Sequence, residues 1–180
     1  GGSMKLIFLD MDGVVNTVSD RYCVSLDLHM ETLKGWGDHK CQFDPRLVFN
    51  FIRLLEFCKN NDIKIVISST WRMGTTVEDW NYFFNRHFGR IGSYKLDNLV
   101  VGLTPVDGRH RGQQIQTVLE SLWLVSDAND TTDYIIIDDD VDDITPHHDA
   151  DKIVKVDPTK GLDNECLQKV FNKFKKGADE

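Results

Sequence analysis

The sequence lacks the patterns that mark several functional classes. Its four cysteines show none of the paired spacings typical of zinc sites or redox motifs, so we interpret them as reduced thiols. It contains no internal repeat and no low-complexity tract. No apolar run approaches the roughly 20 residues that cross a bilayer, so no membrane partner is expected. Positive charge is also scarce: the formal net charge of -8 argues against general, charge-driven nucleic-acid binding but leaves room for a local basic groove.

What is present is the composition of an ordinary globular protein of one domain. A chain of 180 residues with 41% hydrophobic residues can bury a substantial core, whereas a second full domain is not expected. We interpret Gly1-Gly2-Ser3 before Met4 as an expression scar, residues 4–176 as a single domain and residues 177–180 as a tail. No signal peptide precedes the first hydrophobic segment, so we expect a cytoplasmic protein.

The most informative stretch is Leu6–Val15, a short hydrophobic strand that runs into two aspartates. Asp10 and Asp12 are separated by one residue, and Gly13 lets the backbone turn away directly after them. Ligands of an open α/β sheet bind outside the carboxyl ends of the strands, so both carboxylates are expected to face a ligand crevice. Hard oxygen ligands of this kind favour Mg²⁺ completed by water and substrate phosphate.

The next part of the chain predicts an insert and then a helix. Residues 16–43 show no clear periodicity, and we interpret them as either a small flap that touches substrate or a solvent-facing loop. Asp44-Pro45 is a favourable helix start, because Asp can cap the helix and Pro suits its first position. Apolar residues at helical spacing then carry this helix to about Asn60.

A second hydrophobic strand, Ile63–Ile67, also ends in side chains that can bind an anion. Hydroxyls and backbone donors follow it directly, and a planar guanidinium lies a few residues further on, where it could reach a substrate phosphate or an acidic partner. The candidate substrate ligands at this strand end are Ser68, Ser69, Thr70 and Arg72. Gly13, in the turn after the first strand, is a further candidate.

The middle of the chain predicts a helix with an aromatic stripe and then a strand. Thr75 and Glu78 have capping-box spacing, and the helix that they open should end at Gly89. Its aromatic residues recur at helical spacing, so we assign them to the core and not to a base-stacking platform. Residues 98–103 form the next strand candidate.

A basic loop, residues 107–112, precedes a helix predicted from Gln113 to Leu124 with Trp123 facing inward. The helix dipole disfavours positive charge at a helix start. A cation retained there indicates a function for Arg111 or Arg109.

A third hydrophobic strand, Tyr134–Ile137, ends in an acidic cluster. Five of the six residues 138–143 are aspartates, and their mutual repulsion is costly unless a cation or hydrogen bonds offset it. His147 and His148 follow, but adjacent histidines normally point in different directions, so we favour a surface loop over a second metal site. A strand at Ile153–Val156 and a last amphipathic helix complete the predicted fold.

These strand ends, taken in chain order, resemble the motifs of the haloacid dehalogenase (HAD) superfamily. Its phosphatases have Asp-x-Asp-Gly after the first strand, and by that resemblance Asp10 is the nucleophile and Asp12 the general acid and base. The resemblance implies that Ser68 hydrogen-bonds a phosphoryl oxygen. It assigns the basic residue, usually Lys in the family, to Arg111, with Arg109 as the alternative.

The fourth motif of the superfamily is an acidic pair that holds the metal, and Asp138 and Asp139 match it. The resemblance implies Mg²⁺ held by this pair, by Asp10 and by the backbone carbonyl of Asp12. It also implies a three-layer α/β sandwich with a mostly parallel central sheet, a HAD-like Rossmannoid fold with a minimal cap. The implied reaction is hydrolysis of a phosphomonoester through an aspartyl phosphate.

Finer runs, SSTWR, HRGQQI, IIIDDD and VDPTKGL, resemble the compact HAD domains of RNA-repair and phage or bacterial proteins, and the phosphatase half of polynucleotide kinase-phosphatases. That resemblance implies a nucleotide or a nucleic-acid terminal phosphate as substrate, and a nucleic-acid repair enzyme as a possible partner. Two alternatives stay open. One is a phosphate- or nucleotide-binding regulatory or interaction module with little turnover, and the other is a phosphatase of small metabolites such as sugar phosphates.

Overall fold

A parallel sheet of five strands forms the centre of the protein. The computed structural model describes residues 4–19, 23–27, 40–89, 96–125 and 132–175. In chain order the elements are β1 (Lys5–Leu9), β2 (Val24–Asp27), β3 (Lys40–Phe43), α1 (Pro45–Asn60), β4 (Ile63–Ile67), α2 (Val77–Phe88), β5 (Val100–Leu103), α3 (Arg111–Val125), β6 (Asp133–Asp138), β7 (Ile153–Lys155) and α4 (Asn164–Lys175). The central sheet has the strand order β5-β4-β1-β6-β7, and every neighbouring pair is parallel.

Helices cover both faces of this sheet, and the predicted three-layer α/β fold is confirmed. Ile7 and Leu9 of β1 pack with residues of α1, α2 and α4, whereas Leu6 and Phe8 pack with residues of α3. The alternation follows from the pleat, which points successive side chains to opposite faces. From β1 the chain steps to β4 and β5 and then returns to β6 on the other side. Because crossovers between parallel strands are right-handed, this reversal places α3 on the face opposite α1 and α2.

The predicted bounds of α1 and the burial of the aromatic stripe are confirmed. The Asp44 side chain caps α1, accepting a hydrogen bond from the Arg46 amide at 2.9 Å. The four aromatic side chains of the stripe in α2 are each at most 3% exposed, and they are Trp80, Phe83, Phe84 and Phe88. The stripe is therefore core and offers no stacking platform for bases.

The capping prediction for α2 is wrong by one residue. Thr76 is the N-cap: its hydroxyl accepts from the Asp79 amide at 3.2 Å, and the Asp79 carboxylate accepts from the Thr76 amide at 2.8 Å. Thr75 cannot take this place because its hydroxyl donates to the Arg72 carbonyl oxygen at 2.6 Å and accepts from Trp80 Nε1 at 2.8 Å.

The inward orientation predicted for Trp123 is also wrong. Trp123 is 43% exposed, and its indole N–H donates to the Thr132 hydroxyl at 3.2 Å. The apolar stripe of α3 that faces the sheet includes Ile115 and Leu119, with Leu122 packed at its margin. Trp123 lies one residue beyond Leu122, outside that stripe, so its indole is at the surface and its N–H is hydrogen-bonded there.

The described part of the predicted insert contains a two-stranded sheet. β2 and β3 pair antiparallel, with Val24 opposite Phe43. The rest of the insert, residues 20–22 and 28–39, lies outside the described residues, as do the expression scar and the tail, so those assignments stay predictions. Within the described ranges, no helix has both the length and the apolar character needed to span a membrane.

Candidate active site

The three central strands bring chemically active residues together at one edge of the sheet. In the parallel registers Leu9 of β1 lies level with Ile67 of β4 and with Ile137 of β6. The residues that directly follow these positions are Asp10, Ser68 and Asp138. From β1 the strands are added first to one side of the sheet, as β4 and β5, and then to the other side, as β6 and β7. Open α/β sheets bind their ligands at the strand where this order switches sides.

Three carboxylates form a compact group at this edge. One oxygen from each of Asp10, Asp138 and Asp139 lies within 4.8 Å of the other two. Asp10 is 4% exposed and Asp138 is fully buried. Gly13, at φ +76°, permits the approach of Asp139, because a Cβ atom at Gly13 would overlap the Asp139 carboxylate. Glycine is therefore required here both by the backbone conformation and by the lack of space.

The carboxylate group carries negative charge that the protein offsets only in part. Burial, the charge of Asp138 and a hydrogen bond with Asp139 raise the pKa of Asp10 to about 9, against the lowering effect of Arg111. Burial also raises the pKa of Asp138, although the nearby Arg111 opposes it. Buried carboxylates with raised pKa values are electrostatically under-compensated, and a bound cation would stabilise their ionised forms.

Arg111 is the cation that the fold places in this group. Its Nη1 lies 2.7 Å from Asp138 Oδ2 and 3.6 Å from Asp10 Oδ2. Its backbone amide donates to Asp143 Oδ2 at 2.9 Å, so an acidic residue of the cluster also anchors the start of α3. These carboxylates explain how a positive side chain is tolerated at a helix start, where the dipole alone would disfavour it.

Arg109, the alternative basic residue, faces elsewhere. Its Nε donates to Asp107 Oδ2 at 2.7 Å, and its Nη2 donates to the Thr117 hydroxyl at 2.9 Å. All of these groups lie at the exposed start of α3. Of the two candidate arginines, only Arg111 contacts the carboxylate group.

Ser68 supplies a buried hydroxyl that has no protein partner. The residue is 1% exposed, and its Oγ makes no hydrogen bond with any described residue. An unsatisfied buried hydroxyl is rare and costs about 1–3 kcal/mol, so it marks a position where a ligand oxygen is expected. Ser69 is used differently, since its hydroxyl accepts from the Trp71 amide and caps the 3₁₀ turn Thr70–Arg72.

Arg111, Thr70 and several acidic side chains line a crevice of about 320 Å³. A volume of this size is at the lower end of the range for small-molecule sites. The acidic residues that line it are Asp10, Asp12, Asp139, Asp140, Asp142 and Asp143.

Asp12 lies at the crevice but outside the compact carboxylate group. Its Oδ2 accepts a hydrogen bond from Trp71 Nε1 at 2.9 Å, and its Oδ1 accepts one from Asn16 Nδ2 at 3.1 Å. Neither Trp71 nor Asn16 was identified as a site residue from the sequence. Asn16 lies four positions after Asp12, whereas the Trp71 contact joins residues 59 apart and leaves no local signal.

Two further predicted substrate ligands, Arg72 and Gly13, make hydrogen bonds within the protein. The guanidinium of Arg72 is buried and donates to the carbonyl oxygens of Ser69, Thr104 and Pro105, each at 2.8 Å. Its donors therefore brace the loops after β4 and β5, and the contact of Arg72 with a phosphate or an acidic partner stays a prediction. The Gly13 amide likewise donates to Asn16 Oδ1 at 2.8 Å, and its role as a substrate ligand stays a prediction.

The adjacent histidines do point in different directions, as predicted, but His148 is not a surface residue. His148 is buried, with one ring nitrogen 2.9 Å from the Tyr134 hydroxyl and the other 2.8 Å from the Gly112 carbonyl oxygen. His147 lies 3.3 Å from His110 at the exposed start of α3. Both ring nitrogens of His148 are thus occupied by protein groups, which excludes the pair as a chelating site.

The donor chemistry of the carboxylate group fits Mg²⁺. Among the described residues, Asp10, Asp138 and Asp139 form the only compact group of three potential protein ligands, and all its donors are carboxylate oxygens. Such hard donors suit Mg²⁺, which retains water and uses few protein ligands. Asp138 already accepts from Arg111 and from the Asp140 amide, so Asp10 and Asp139 have the freer oxygens.

Fold and site together define an α/β domain of the HAD superfamily. A family model for the HAD domain in Swiss Army Knife RNA repair proteins matches residues 6–167, and the chain belongs to this family. Neither the curated proteins nor the solved structures contained a match. The family relationship supports a phosphatase-like HAD function, and it confirms the resemblance identified from the strand-end motifs.

Proposed function

We propose that the protein is a magnesium-dependent phosphomonoesterase that forms an aspartyl phosphate on Asp10. One observation carries the proposal: Asp10, the cation Arg111 and the unpartnered hydroxyl of Ser68 converge at one sheet edge beside further carboxylates. Phosphoryl transfer depends mainly on positioning and on charge stabilisation, and these groups are suited to both tasks.

The metal ligands in this proposal are Asp10, Asp138, Asp139 and the backbone carbonyl of Asp12. When bound there, Mg²⁺ supplies positive charge that lets an anionic phosphate approach the ionised Asp10. Arg111 offsets only part of the negative charge of the carboxylates, because the pKa of Asp10 stays raised beside it. This supports a role for a second cation.

In the first half-reaction a carboxylate oxygen of Asp10 attacks phosphorus. The bond between phosphorus and the ester oxygen breaks, and Asp12 gives its proton to the departing oxygen, which leaves as an alcohol. The Ser68 hydroxyl donates a hydrogen bond to a phosphoryl oxygen, and the Arg111 guanidinium offsets the negative charge that gathers on the group.

In the second half-reaction water attacks the phosphorus of the aspartyl phosphate. Asp12, now ionised, takes a proton from this water, and the bond between phosphorus and the Asp10 oxygen breaks. Inorganic phosphate leaves, Asp10 is again a carboxylate and Asp12 is again protonated. The balance is one phosphomonoester and one water consumed, with one alcohol and one inorganic phosphate formed.

The substrate in this proposal is a nucleotide or a nucleic-acid terminal phosphate, with an RNA end favoured. The description of the family, a HAD domain in RNA repair proteins, supports this choice. The crevice of about 320 Å³ suits a phosphate and an adjoining sugar, so the remainder of a polymer would lie outside it.

Phosphate release from a matched panel tests the function. The panel contains nucleoside monophosphates, RNA oligonucleotides with a 3′- or a 5′-phosphate, and a sugar phosphate, each with Mg²⁺ and with chelator. Asp10→Asn is the inactive reference. Asp62→Asn is the matched control, because Asp62 is exposed and precedes β4 at the opposite edge of the sheet. Magnesium-dependent release by the wild type and by Asp62→Asn, but not by Asp10→Asn, supports the proposal. No release from any substrate contradicts it.

A further inference from the structure

The carboxylate of Asp12 is held from two sides by neutral donors. Trp71 Nε1 donates to Oδ2 at 2.9 Å, and Asn16 Nδ2 donates to Oδ1 at 3.1 Å. The same Asn16 amide group also donates to the Gln42 carbonyl oxygen of β3 at 2.9 Å. Asp12 is itself exposed, so packing does not fix its side chain and these hydrogen bonds define its orientation.

The indole that provides one of these donors is itself firmly placed. Trp71 lies in the 3₁₀ turn after β4, where its amide donates to the Ser69 hydroxyl at 3.2 Å. Its ring packs edge-on against Phe43, with centroids 6.0 Å apart and an interplanar angle of 60°. Phe43 is 1% exposed and belongs to the main core. The N–H of Trp71 is therefore directed by the core of the protein.

We propose that Trp71 is a positioning residue that aims the carboxyl group of Asp12 at the leaving oxygen of the substrate. This inference rests on the proposed phosphatase function and adds a residue to it. Each carboxyl oxygen offers two acceptor sites, so the bond from the indole leaves room for the transferable proton. The indole N–H only donates, and it therefore orients Asp12 without exchanging protons with it.

A purely structural role for Trp71 predicts a different behaviour from a positioning role. If the ring only fills space beside Phe43, its loss would affect stability or all substrates alike. If its N–H aims Asp12, the loss would fall on substrates that need a proton at the leaving oxygen. Trp71→Phe separates these roles, because it keeps an aromatic ring against Phe43 and removes only the donor and part of the surface.

The kinetic test compares phenyl phosphate with p-nitrophenyl phosphate at saturating Mg²⁺. Nitrophenolate departs readily without a proton, whereas phenolate is a poorer leaving group, so only phenyl phosphate depends strongly on Asp12. We expect Trp71→Phe to lower kcat/KM about tenfold for phenyl phosphate and less than about threefold for p-nitrophenyl phosphate, because misorienting the acid forfeits only part of the roughly 10²- to 10⁴-fold that a general acid contributes. Asp12→Ala should show the same preference more strongly.

Trp123→Phe is the matched control, since it also removes an indole N–H bond but near the far end of α3. It should leave both rates unchanged. In an Asp12→Ala background, Trp71→Phe should have no further effect on the ratio of the two rates, because the residue that it orients is absent. Equal loss for both substrates, or no loss, overturns the positioning role while leaving the phosphatase proposal intact.

A measurement on the folded protein keeps the inference testable if Trp71→Phe is poorly folded. In an indole N–H spectrum of the ¹⁵N-labelled wild-type protein, the Trp71 signal is assigned by magnetisation transfer between its ring and that of Phe43, against which it packs. Asp12→Ala should move that signal and leave the Trp123 signal in place; an unmoved signal overturns the contact. A wild-type protein that releases phosphate from no member of the nucleotide, RNA and sugar phosphate panel with Mg²⁺ overturns the proposed function, and the role of Trp71 with it.

Discussion

Replacing Asp10 with Asn should stabilise the metal-free protein, and increasingly so as the pH rises. Asp10 is buried beside Asp138 and Asp139, and its pKa is raised from 3.8 to about 9. Between these two values the folded protein binds a proton that the unfolded chain releases. Stability therefore falls as the pH rises, by up to about 1.4 kcal/mol per pH unit for one proton. The amide of Asn has no charge to desolvate and removes this dependence.

The difference in unfolding free energy between Asp10→Asn and wild type grows as the pH rises from 3.8 to about 9 and stays constant above that. From about pH 5 to about pH 8 the wild-type protein should lose up to about 4 kcal/mol of unfolding free energy relative to Asp10→Asn. Charge relaxation and water entry reduce that ceiling, so a difference of about 2 kcal/mol is a realistic outcome. The sign is fixed by the direction of the pKa shift and does not depend on its size.

Urea unfolding in the presence of chelator, repeated at several pH values, measures this difference directly. The matched control Asp62→Asn should follow the wild-type curve, since Asp62 is exposed. Added Mg²⁺ should stabilise the wild-type protein more at the higher pH, because metal binding requires the ionised carboxylate. Parallel pH curves for wild type and Asp10→Asn would refute the claim that Asp10 is an under-compensated buried acid.

Three further substitutions test the other site assignments. Arg111→Ala should lower kcat by about a hundredfold or more, whereas Arg109→Ala should change it less than about threefold, since only Arg111 contacts the carboxylates; steady-state kinetics in the reverse order would show that the wrong cation was chosen. Ser68→Ala should lower kcat/KM about tenfold without loss of thermal stability, because its hydroxyl has no protein partner to lose; an unchanged rate would remove it from the phosphate site. Arg72→Ala should destabilise the fold by about 3 kcal/mol in urea unfolding, because it leaves several loop carbonyls without donors; a full loss of activity in a protein of normal stability would return Arg72 to the substrate site.

The fold and the edge of the site were predictable because both depend on local patterns. Hydrophobic runs such as Ile63–Ile67 mark buried strands, and residues that follow such runs must meet at one edge of a parallel sheet. The sequence alone therefore predicts that Asp10, Ser68 and Asp138 lie together, and the parallel registers put them level at one edge of the sheet. The start of α1 was predictable for the same reason. The Asp44 side chain caps the helix and the Pro45 ring occupies its first position, and both act within one helical turn.

The details that could not be predicted depend on contacts between distant segments. Arg72 follows the strand end that carries the candidate phosphate ligand Ser68, yet its guanidinium donates to carbonyls on the loop after β5, 32 and 33 residues away. The bond from Trp71 to Asp12 joins two strand ends and is visible only once the sheet is assembled. Thr75 and Thr76 both satisfy the capping pattern of α2. The hydroxyl of Thr75 is hydrogen-bonded to the Arg72 carbonyl oxygen and to Trp80 Nε1, so Thr76 is the cap.

The measurement that tests the central claim most directly is the capture of phosphate on Asp10. The protein is mixed with p-nitrophenyl phosphate and Mg²⁺, quenched in acid and weighed intact by mass spectrometry, with the modified peptide then sequenced. The account predicts a phosphorylated form in wild type that accumulates further in Asp12→Ala, because the second half-reaction lacks its base, and that is absent in Asp10→Asn. Phosphate release without any phosphorylated protein, or phosphorylation that persists in Asp10→Asn, would contradict it.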